Sequence, residues 1–232
     1  QLPLMKDSKL GEIVIKKNGR AKSFIARVKY GVLHITVPSF VSEASIREFV
    51  NQNKKALMEL KVNQPLALIQ NSFSIHADEY VLNLKLGNNT TSSLRVEDKI
   101  HTLLLKQDFD FENENSQRWL RKVIEETLVA RAKQVFPPIL KDLANKHSLS
   151  FSKVSINRAK TRWGSCSSNQ FINLSCYAVL LPLPLIRYVM LHELSHTIHM
   201  NHGKEFWSLL NQLSGGRAEA LDIELRQFKL PF

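Results

Sequence analysis

An apolar stretch that runs into two histidines and a glutamate is the feature that most constrains how this chain can fold. Leu185–Leu191 is apolar apart from Arg187, which is typical of a buried helix, and it continues directly into His192, Glu193 and His196. Residues four apart lie on the same face of a helix, so the two imidazoles can approach one point. A buried glutamate costs free energy unless it has a function or a partner. The pattern therefore predicts a buried helix that carries a functional site.

The spacing of this HExxH motif is typical of a zinc site. Zinc binds imidazole nitrogens at about 2.0–2.1 Å, and zinc hydrolases keep one coordination position open for water. Glu193 follows the first ligand directly, so it lies beside the ion without binding it. From there it can take a proton from the bound water and pass it to a leaving group. We expect one Zn²⁺, bound by His192 and His196, with Glu193 as the catalytic residue.

A tetrahedral site needs a third protein ligand, and several residues downstream qualify. His199 stays on the same helical face, but seven residues at about 1.5 Å each separate it from His192 by roughly 10 Å along the axis. His202 lies ten residues after His192, which is the offset of an extended zinc-binding pattern. It can reach the ion if the helix ends before it and the chain turns back. Glu205 and Glu219 are the alternatives.

The chain is strongly basic, with a formal net charge of +11 over 232 residues. Such a balance is compatible with nucleic acid, phosphorylated substrates or an anionic surface. The lysines and arginines are spread along the chain, however, which favours a solvated basic surface. Nucleic acid is therefore a candidate partner supported by charge alone, and the oligomeric state is left open.

Cysteine usage and hydropathy bear on where the protein resides. The two cysteines, Cys166 and Cys176, form no disulfide framework and suit a reducing compartment. No apolar stretch approaches the 18 or so residues needed to cross a bilayer, and the N-terminal residues lack a signal-peptide pattern. We expect a cytoplasmic protein with no membrane partner.

The first half of the chain is predicted to be mostly β with one helix. Strand patterns between residues 10 and 37, with turns at Asn18-Gly19 and Tyr30-Gly31, predict a β-meander. Ser42–Lys61 has the apolar periodicity of one amphipathic helix. Five further strands are predicted between residues 65 and 106, beginning with Leu66–Ile69. The acidic, turn-like segment 108–115 separates a predicted N-terminal domain, 1–112, from a C-terminal domain, 113–232.

The second half is predicted to be mainly helical with a small sheet. A helix from Ser116 to about Val135 is expected to stop at Pro137-Pro138, where another begins. The alternating segments Leu149–Asn157 and Phe171–Leu174 predict strands, and Phe171–Leu174 could present an edge for an extended peptide. The HExxH helix and two shorter helices follow.

Three blocks of residues together resemble the YgjP-like family of metal-dependent hydrolases. They are Arg162-Trp163-Gly164-Ser165-Cys166-Ser167 with the Ile172-Asn173-Leu174 that follows it, the HExxH motif, and Asn201–Trp207 with its histidine at 202. The family is itself similar to SprT-like and other minimal HExxH peptidases. The resemblance implies that His192, His196 and His202 are the zinc ligands and that Glu193 is catalytic. It implies an α+β fold with a mostly-β N-terminal region and a zincin-like C-terminal domain.

The first of these blocks supplies candidate substrate-binding residues. A tight Trp-Gly turn before a strand can place Arg162, or backbone N–H groups of Trp163, Gly164 and Ser165, where a developing oxyanion or a phosphate needs donors. The alternative is a packing motif, in which Trp163 lies in the core.

Three activities are compatible with this site. We favour a zinc metallopeptidase, in which the activated water attacks a peptide carbonyl. The first alternative is a nucleotide pyrophosphatase acting on UTP, an activity attributed to some members of the family; no Walker-type glycine loop supports it. The second is a DNA-associated protease of the SprT type, which predicts salt-sensitive DNA binding.

Overall fold

The described part of the molecule is residues 4–29, 32–62 and 68–232 of a computed structural model. The predicted turn at Tyr30-Gly31 and the first two residues of the predicted strand Leu66–Ile69 lie outside it. The other two residues of that predicted strand, Leu68 and Ile69, are in no strand.

Four strands and two helices make up the N-terminal part: β1 Leu4–Asp7, β2 Gly11–Asn18, β3 Ile25–Lys29, β4 Val32–Pro38, α1 Glu43–Gln52 and α2 Lys54–Val62. The strands form one sheet in the order β1-β2-β4-β3. The predicted meander is wrong, because β4 pairs in parallel with β2 and separates it from β3. Alternate strand residues such as Ile13, Leu33 and Ile35 are buried in a core that also includes residues of α1 and α2.

The single helix predicted at Ser42–Lys61 is interrupted at Asn53. The side-chain Nδ2 and the backbone N–H of Asn53 both donate to the carbonyl oxygen of Phe49, at 2.9 and 3.0 Å. An asparagine side chain that bonds nearby backbone competes with regular helix geometry. The residue therefore ends α1, and its own carbonyl accepts from Leu57 N–H to begin α2.

A second four-stranded sheet repeats the topology of the first. Its strands are β5 Ser74–His76, β6 Val81–Leu86, β7 Ser93–Glu97 and β8 Ile100–Leu105, in the order β5-β6-β8-β7. The inner pair, β6 and β8, is parallel, and both outer pairs are antiparallel, as in the first sheet. The repeat is not apparent in the sequence, because the equivalent inner strands share the alternation of buried residues but few residue identities.

The long helix α3, Glu114–Lys146, continues through both prolines at which we predicted it to stop. Two missing N–H groups remove two helical hydrogen bonds. Their would-be acceptors are the carbonyls of Lys133 and Gln134, whose residues are exposed, so water can satisfy them. The buried side chains of Phe136 and Leu140 hold the helix on both sides of the prolines.

The remaining elements surround the HExxH motif. They are β9 Lys153–Asn157, β10 Gly164–Cys166, β11 Phe171–Ser175, a 3-10 helix Cys176–Leu180, α4 Leu183–Ser195, α5 Lys204–Leu213 and α6 Ala218–Gln227. The small sheet has the order β10-β11-β9. The predicted edge at Phe171–Leu174 is therefore wrong: this segment is the central strand, and β10 is an outer strand. It pairs with β10 in antiparallel and with β9 in parallel orientation, and its side chains Ile172 and Leu174 are buried.

The chain divides into two compact units. One comprises 1–68, 112–118 and residue 232; the other comprises 69–111 and 119–231. The predicted N-terminal domain, 1–112, includes the second sheet, whereas the second compact unit contains that sheet. The predicted boundary between residues 112 and 113 stays a prediction. Within the second unit the sheet is tied to α3 by the Tyr80–Thr127 hydrogen bond, 2.7 Å, and by ion pairs of Arg131.

The mixed α+β class predicted from the sequence is confirmed. Among the helices described, none combines the length and apolar character that spanning a membrane would require.

Candidate active site

The helix α4 carries the HExxH motif into the core of its unit. It begins beside Asp78, whose carboxylate accepts a hydrogen bond from Leu183 N–H at 2.7 Å, and Pro184 occupies the first turn, where a missing N–H costs nothing. It packs against β10, α5 and α6. Its last helical residue is Ser195, so His196 lies at the C-terminal end and the chain is free to turn.

The three predicted ligand histidines come together in space. One ligand nitrogen from each of His192, His196 and His202 lies within 4.8 Å of the other two. The Nε2 atoms of His192 and His202 are 3.1 Å apart. Two nitrogens at zinc-ligand distance and tetrahedral angles lie about 3.3 Å apart, so these side chains fit one ion. Neither Glu205 nor Glu219, the alternative third ligands, belongs to this group in the described part of the chain.

The turn after α4 fixes the orientation of one imidazole. His196 Nδ1 lies 3.0 Å from the backbone oxygen of His199. Nδ1 therefore carries the proton and donates it, which leaves Nε2 with its lone pair for a metal. His199 contributes to the site through its carbonyl group and not through its side chain, consistent with its distance along the helix.

Phe206 of α5 packs against all three imidazoles. Its ring centroid lies 4.9, 4.5 and 4.6 Å from those of His192, His196 and His202, and the side chain is fully buried. In the sequence Phe206 is only one residue of the Asn201–Trp207 block. Its position as the third residue of α5 gives no indication that it contacts the histidines.

Burial favours the metal-binding form of His192 and His196. Desolvation, assisted by the neighbouring imidazoles, lowers the pKa of His192 to about 4, and desolvation also lowers the pKa of His196. Neutral imidazole is the form that coordinates a metal.

The carboxylate of Glu193 is buried beside the histidines. Its side chain is 5% exposed, and Oε2 has no hydrogen-bond partner among the residues described. Desolvation raises its pKa to about 8, and the positive charge of Arg162 opposes this rise. A buried carboxylate without a partner is unfavourable, so this residue is a candidate for function.

Gly164 leaves the space that Glu193 occupies. A Cβ atom on Gly164 would lie 2.5 Å from Oε1, 2.7 Å from Cγ and 2.8 Å from Cδ of Glu193. No side chain larger than hydrogen fits unless the carboxylate moves. This close approach explains the glycine in the Arg162–Cys166 block, which the sequence analysis attributed to a turn or to packing.

The residues before and at this glycine line a cavity next to the histidines. The cavity has a volume of about 230 Å³. Its lining comprises Arg162, Trp163, Gly164, Tyr188, Val189, His192, Glu193, Asp222 and Leu225. Trp163 is held by an edge-to-face contact with Phe228.

Two residues of the same block lie elsewhere. Ser165 pairs with Asn173 within the small sheet and does not line the cavity. Cys166 belongs to no metal-binding group in the described chain. Burial, and then the charge of Glu193, raise the pKa of its thiol to about 11.

Comparison with solved structures gives partial matches. Two solved structures are similar to part of the chain, each with a TM-score of 0.35. The zymogen of the metallopeptidase abylysin from Pyrococcus abyssi is 19% identical, over 38% of this chain and 89% of its own. The zymogen of the metallopeptidase jannalysin from Methanocaldococcus jannaschii is 24% identical, over 39% of this chain and 92% of its own.

No protein of curated function matches the chain. The family model for the YgjP-like metallopeptidase domain matches residues 22–226, which is most of the sequence and includes every candidate site residue. The resemblance inferred from the three blocks is thereby confirmed. The chain belongs to the YgjP-like metallopeptidase domain family, and it is a hydrolase of that family.

Proposed function

We propose that the protein is a zinc-dependent metallopeptidase that holds one Zn²⁺ through His192, His196 and His202. The observation that carries the proposal is the buried carboxylate of Glu193, unpartnered among the described residues, next to three converging imidazoles. Three nitrogen ligands and one open position are the usual set for a catalytic zinc. When bound, such an ion supplies Lewis acidity, which polarises a carbonyl group and acidifies a water molecule.

Glu193 is the general base and acid of this mechanism. Its carboxylate accepts the proton of the attacking water and then donates it to the nitrogen of the departing amine. Because the residue is buried, its carboxylate is not surrounded by bulk water that would compete for the proton. Gly164 keeps the carboxylate at this position by presenting no side chain.

The strand β10 offers a place for an extended peptide. It is an outer strand of the small sheet, and α4 packs beside it. A substrate can pair with a free strand edge through its main chain while its side chains enter neighbouring pockets. We infer that the cavity lined by Trp163, Val189 and Leu225 receives a side chain next to the scissile bond. Arg162, also in its lining, is available to a carboxylate of the substrate or to an oxyanion.

The experiment is a comparison of zinc-loaded wild type with Glu193→Gln. Each protein is first shown to hold one zinc, and is then incubated with a fluorogenic peptide library and, separately, with UTP. We expect the wild type to cleave peptides and the variant to retain zinc and lose at least 100-fold in kcat/KM. Glu224→Gln makes the same change on an exposed face of α6 and should retain full activity.

The UTP incubation distinguishes the proposal from its first alternative. Arg162 would favour a phosphate group, because it is an exposed cation that lines the cavity. Release of pyrophosphate by the wild type and not by Glu193→Gln, without peptide cleavage, would replace the peptidase with a nucleotide pyrophosphatase. Salt-sensitive DNA binding that stimulates peptide cleavage would favour the DNA-associated protease.

A further inference from the structure

The cross-strand residue pairs of one four-stranded sheet have equivalents in the other. In the first sheet Val28 and Ala26 of β3 lie opposite Leu33 and Ile35 of β4. In the second, Val96 and Leu94 of β7 lie opposite His101 and Leu103 of β8. All four β4 and β8 residues are buried. The inward face of β7 is therefore equivalent to the inward face of β3.

A helix covers this face in the first sheet. α2 packs against β3 and β4, and Leu57 of α2 is buried in the same core. Ala26 and Val28 are consequently half-buried and pack against that core. Within the first unit, α2 thus provides the apolar partner that the outer strand needs.

The equivalent place in the second sheet is a cavity. It has a volume of about 560 Å³ and lies between β7, β8 and one face of α3. We call it the α3 groove. Its main walls are formed by Leu94, Val96, Trp119, Lys122, Val123 and Ala130.

The apolar residues of the α3 groove are left unusually open. Leu94 is 42% exposed, Val96 is 51% exposed and Trp119 is 39% exposed. A contiguous apolar patch of this kind on a soluble surface is typical of a binding site. The contrast with Ala26 and Val28 shows what such a face requires, namely a helix laid across it.

We propose that the α3 groove binds an amphipathic helix of a partner protein. The apolar stripe of that helix, with residues at every third and fourth position, packs against β7 and β8 as α2 packs against β3 and β4. The length of the bound helix follows from β7, because two to three helical turns span a strand of five residues.

The charges that line the α3 groove favour a helix with acidic side chains on either side of its apolar stripe. Arg131 already pairs with Glu79 and Asp98, and Glu126 pairs with Arg158. Lys122 lines the groove and has no ion pair within the described part of the chain. An acidic side chain on the incoming helix complements this lysine, and the net charge of +11 favours its approach.

The test uses the full-length protein and a fluorescein-labelled 14-residue peptide with leucines along one helical face and glutamates elsewhere. Binding is measured by fluorescence anisotropy. Val96→Glu and Ala130→Glu each place a charge in the groove and should weaken binding at least tenfold, because a desolvated charge opposes an apolar contact. Ser93→Glu adds the same charge to β7 on its other face and should leave the affinity unchanged. Lys122→Glu should weaken binding by removing the complementary charge.

A second peptide, with lysines in place of the glutamates, should bind at least fivefold more weakly than the acidic peptide. The substituted residues are exposed, and circular dichroism of each variant establishes that it is folded. The proposal is overturned if neither peptide binds, if the groove variants bind as tightly as the wild type, or if the basic peptide binds equally well. Self-association of the wild type that Val96→Glu abolishes would overturn it too, since a second copy of the chain would then be the occupant.

Discussion

Replacing Gly164 by alanine tests whether the position of Glu193 governs turnover. In most strands a glycine-to-alanine change is neutral or stabilising, because it reduces the freedom of the unfolded chain. Here the new methyl group would lie 2.5 Å from Oε1 of Glu193 and 2.7 Å from Cγ. Ordinary contact begins near 3.4 Å. One of the two groups must therefore move.

The size of the movement sets the size of the effect. Closing the gap between 2.5 Å and an ordinary contact requires a displacement of about 1 Å. The carboxylate is the group free to move, because Gly164 is fixed in the sheet by pairing with Leu174. Displacement of a reacting group by 1 Å costs roughly 100-fold in rate, or about 2.7 kcal/mol of transition-state stabilisation. The three heavy atoms nearest to the new methyl group all belong to Glu193, so we expect the zinc content to be unchanged.

The assay compares kcat/KM and zinc content of Gly164→Ala with those of wild type, on a peptide that the wild type cleaves. Gly19→Ala is the matched control, since its new Cβ would meet nothing closer than 3.9 Å. We expect a loss of about 100-fold in the first variant and none in the second. Activity of Gly164→Ala within twofold of wild type would show that turnover does not depend on the observed position of the Glu193 carboxylate. Loss of zinc together with activity would make the glycine a requirement of folding.

Three further predictions concern the metal, a thiol and the response to acid. His202→Ala should lower zinc affinity by at least tenfold, because one of three ligands is removed. Full zinc occupancy of the variant at the same free zinc concentration would instead assign the third ligand to a residue such as Glu205. The Cys166 thiol should react with iodoacetamide far more slowly than a free cysteine at pH 7, since burial raises its pKa to about 11; mass spectrometry showing complete labelling within minutes would contradict this. The hydrogen bond from Lys54, more than any other contact, lowers the pKa of the Asp7 carboxyl to about 2. The stabilisation it gives is present above the unfolded-state pKa of about 4 and is lost as the pH falls towards 2. Asp7→Asn should therefore destabilise the protein by about 1 kcal/mol at pH 7, after allowance for solvent screening, and should have almost no effect near pH 2. Equal losses of unfolding free energy at the two pH values, measured by urea unfolding, would refute the ion-pair explanation.

The composition of the site could be predicted because its chemistry depends on local spacing. His192 and His196 share a helical face for geometric reasons alone, and the same geometry placed His199 too far away. His202 required only that the helix end in time, and it does, at Ser195.

The features that could not be predicted depend on contacts between distant segments. Gly164 and Glu193 are far apart in sequence, so nothing local shows that one must be small for the other to fit. Strand order is a similar case, because Asn18-Gly19 turns the chain as predicted but does not determine which strand lies next to β2. Continuation of α3 through Pro137 and Pro138 likewise depends on tertiary burial of the flanking apolar residues, which outweighs the local preference to stop.

The contact of Phe206 with all three histidines ties the candidate metal ligands to the packing of the protein interior. In a zinc finger the ligands are brought together only by the ion, so the metal-free chain is unfolded. Here a fully buried phenyl ring of α5 lies within ring-contact distance of all three imidazoles. Packing among the chain's own side chains therefore contributes to their arrangement, so the candidate metal site is at the same time a part of the hydrophobic core.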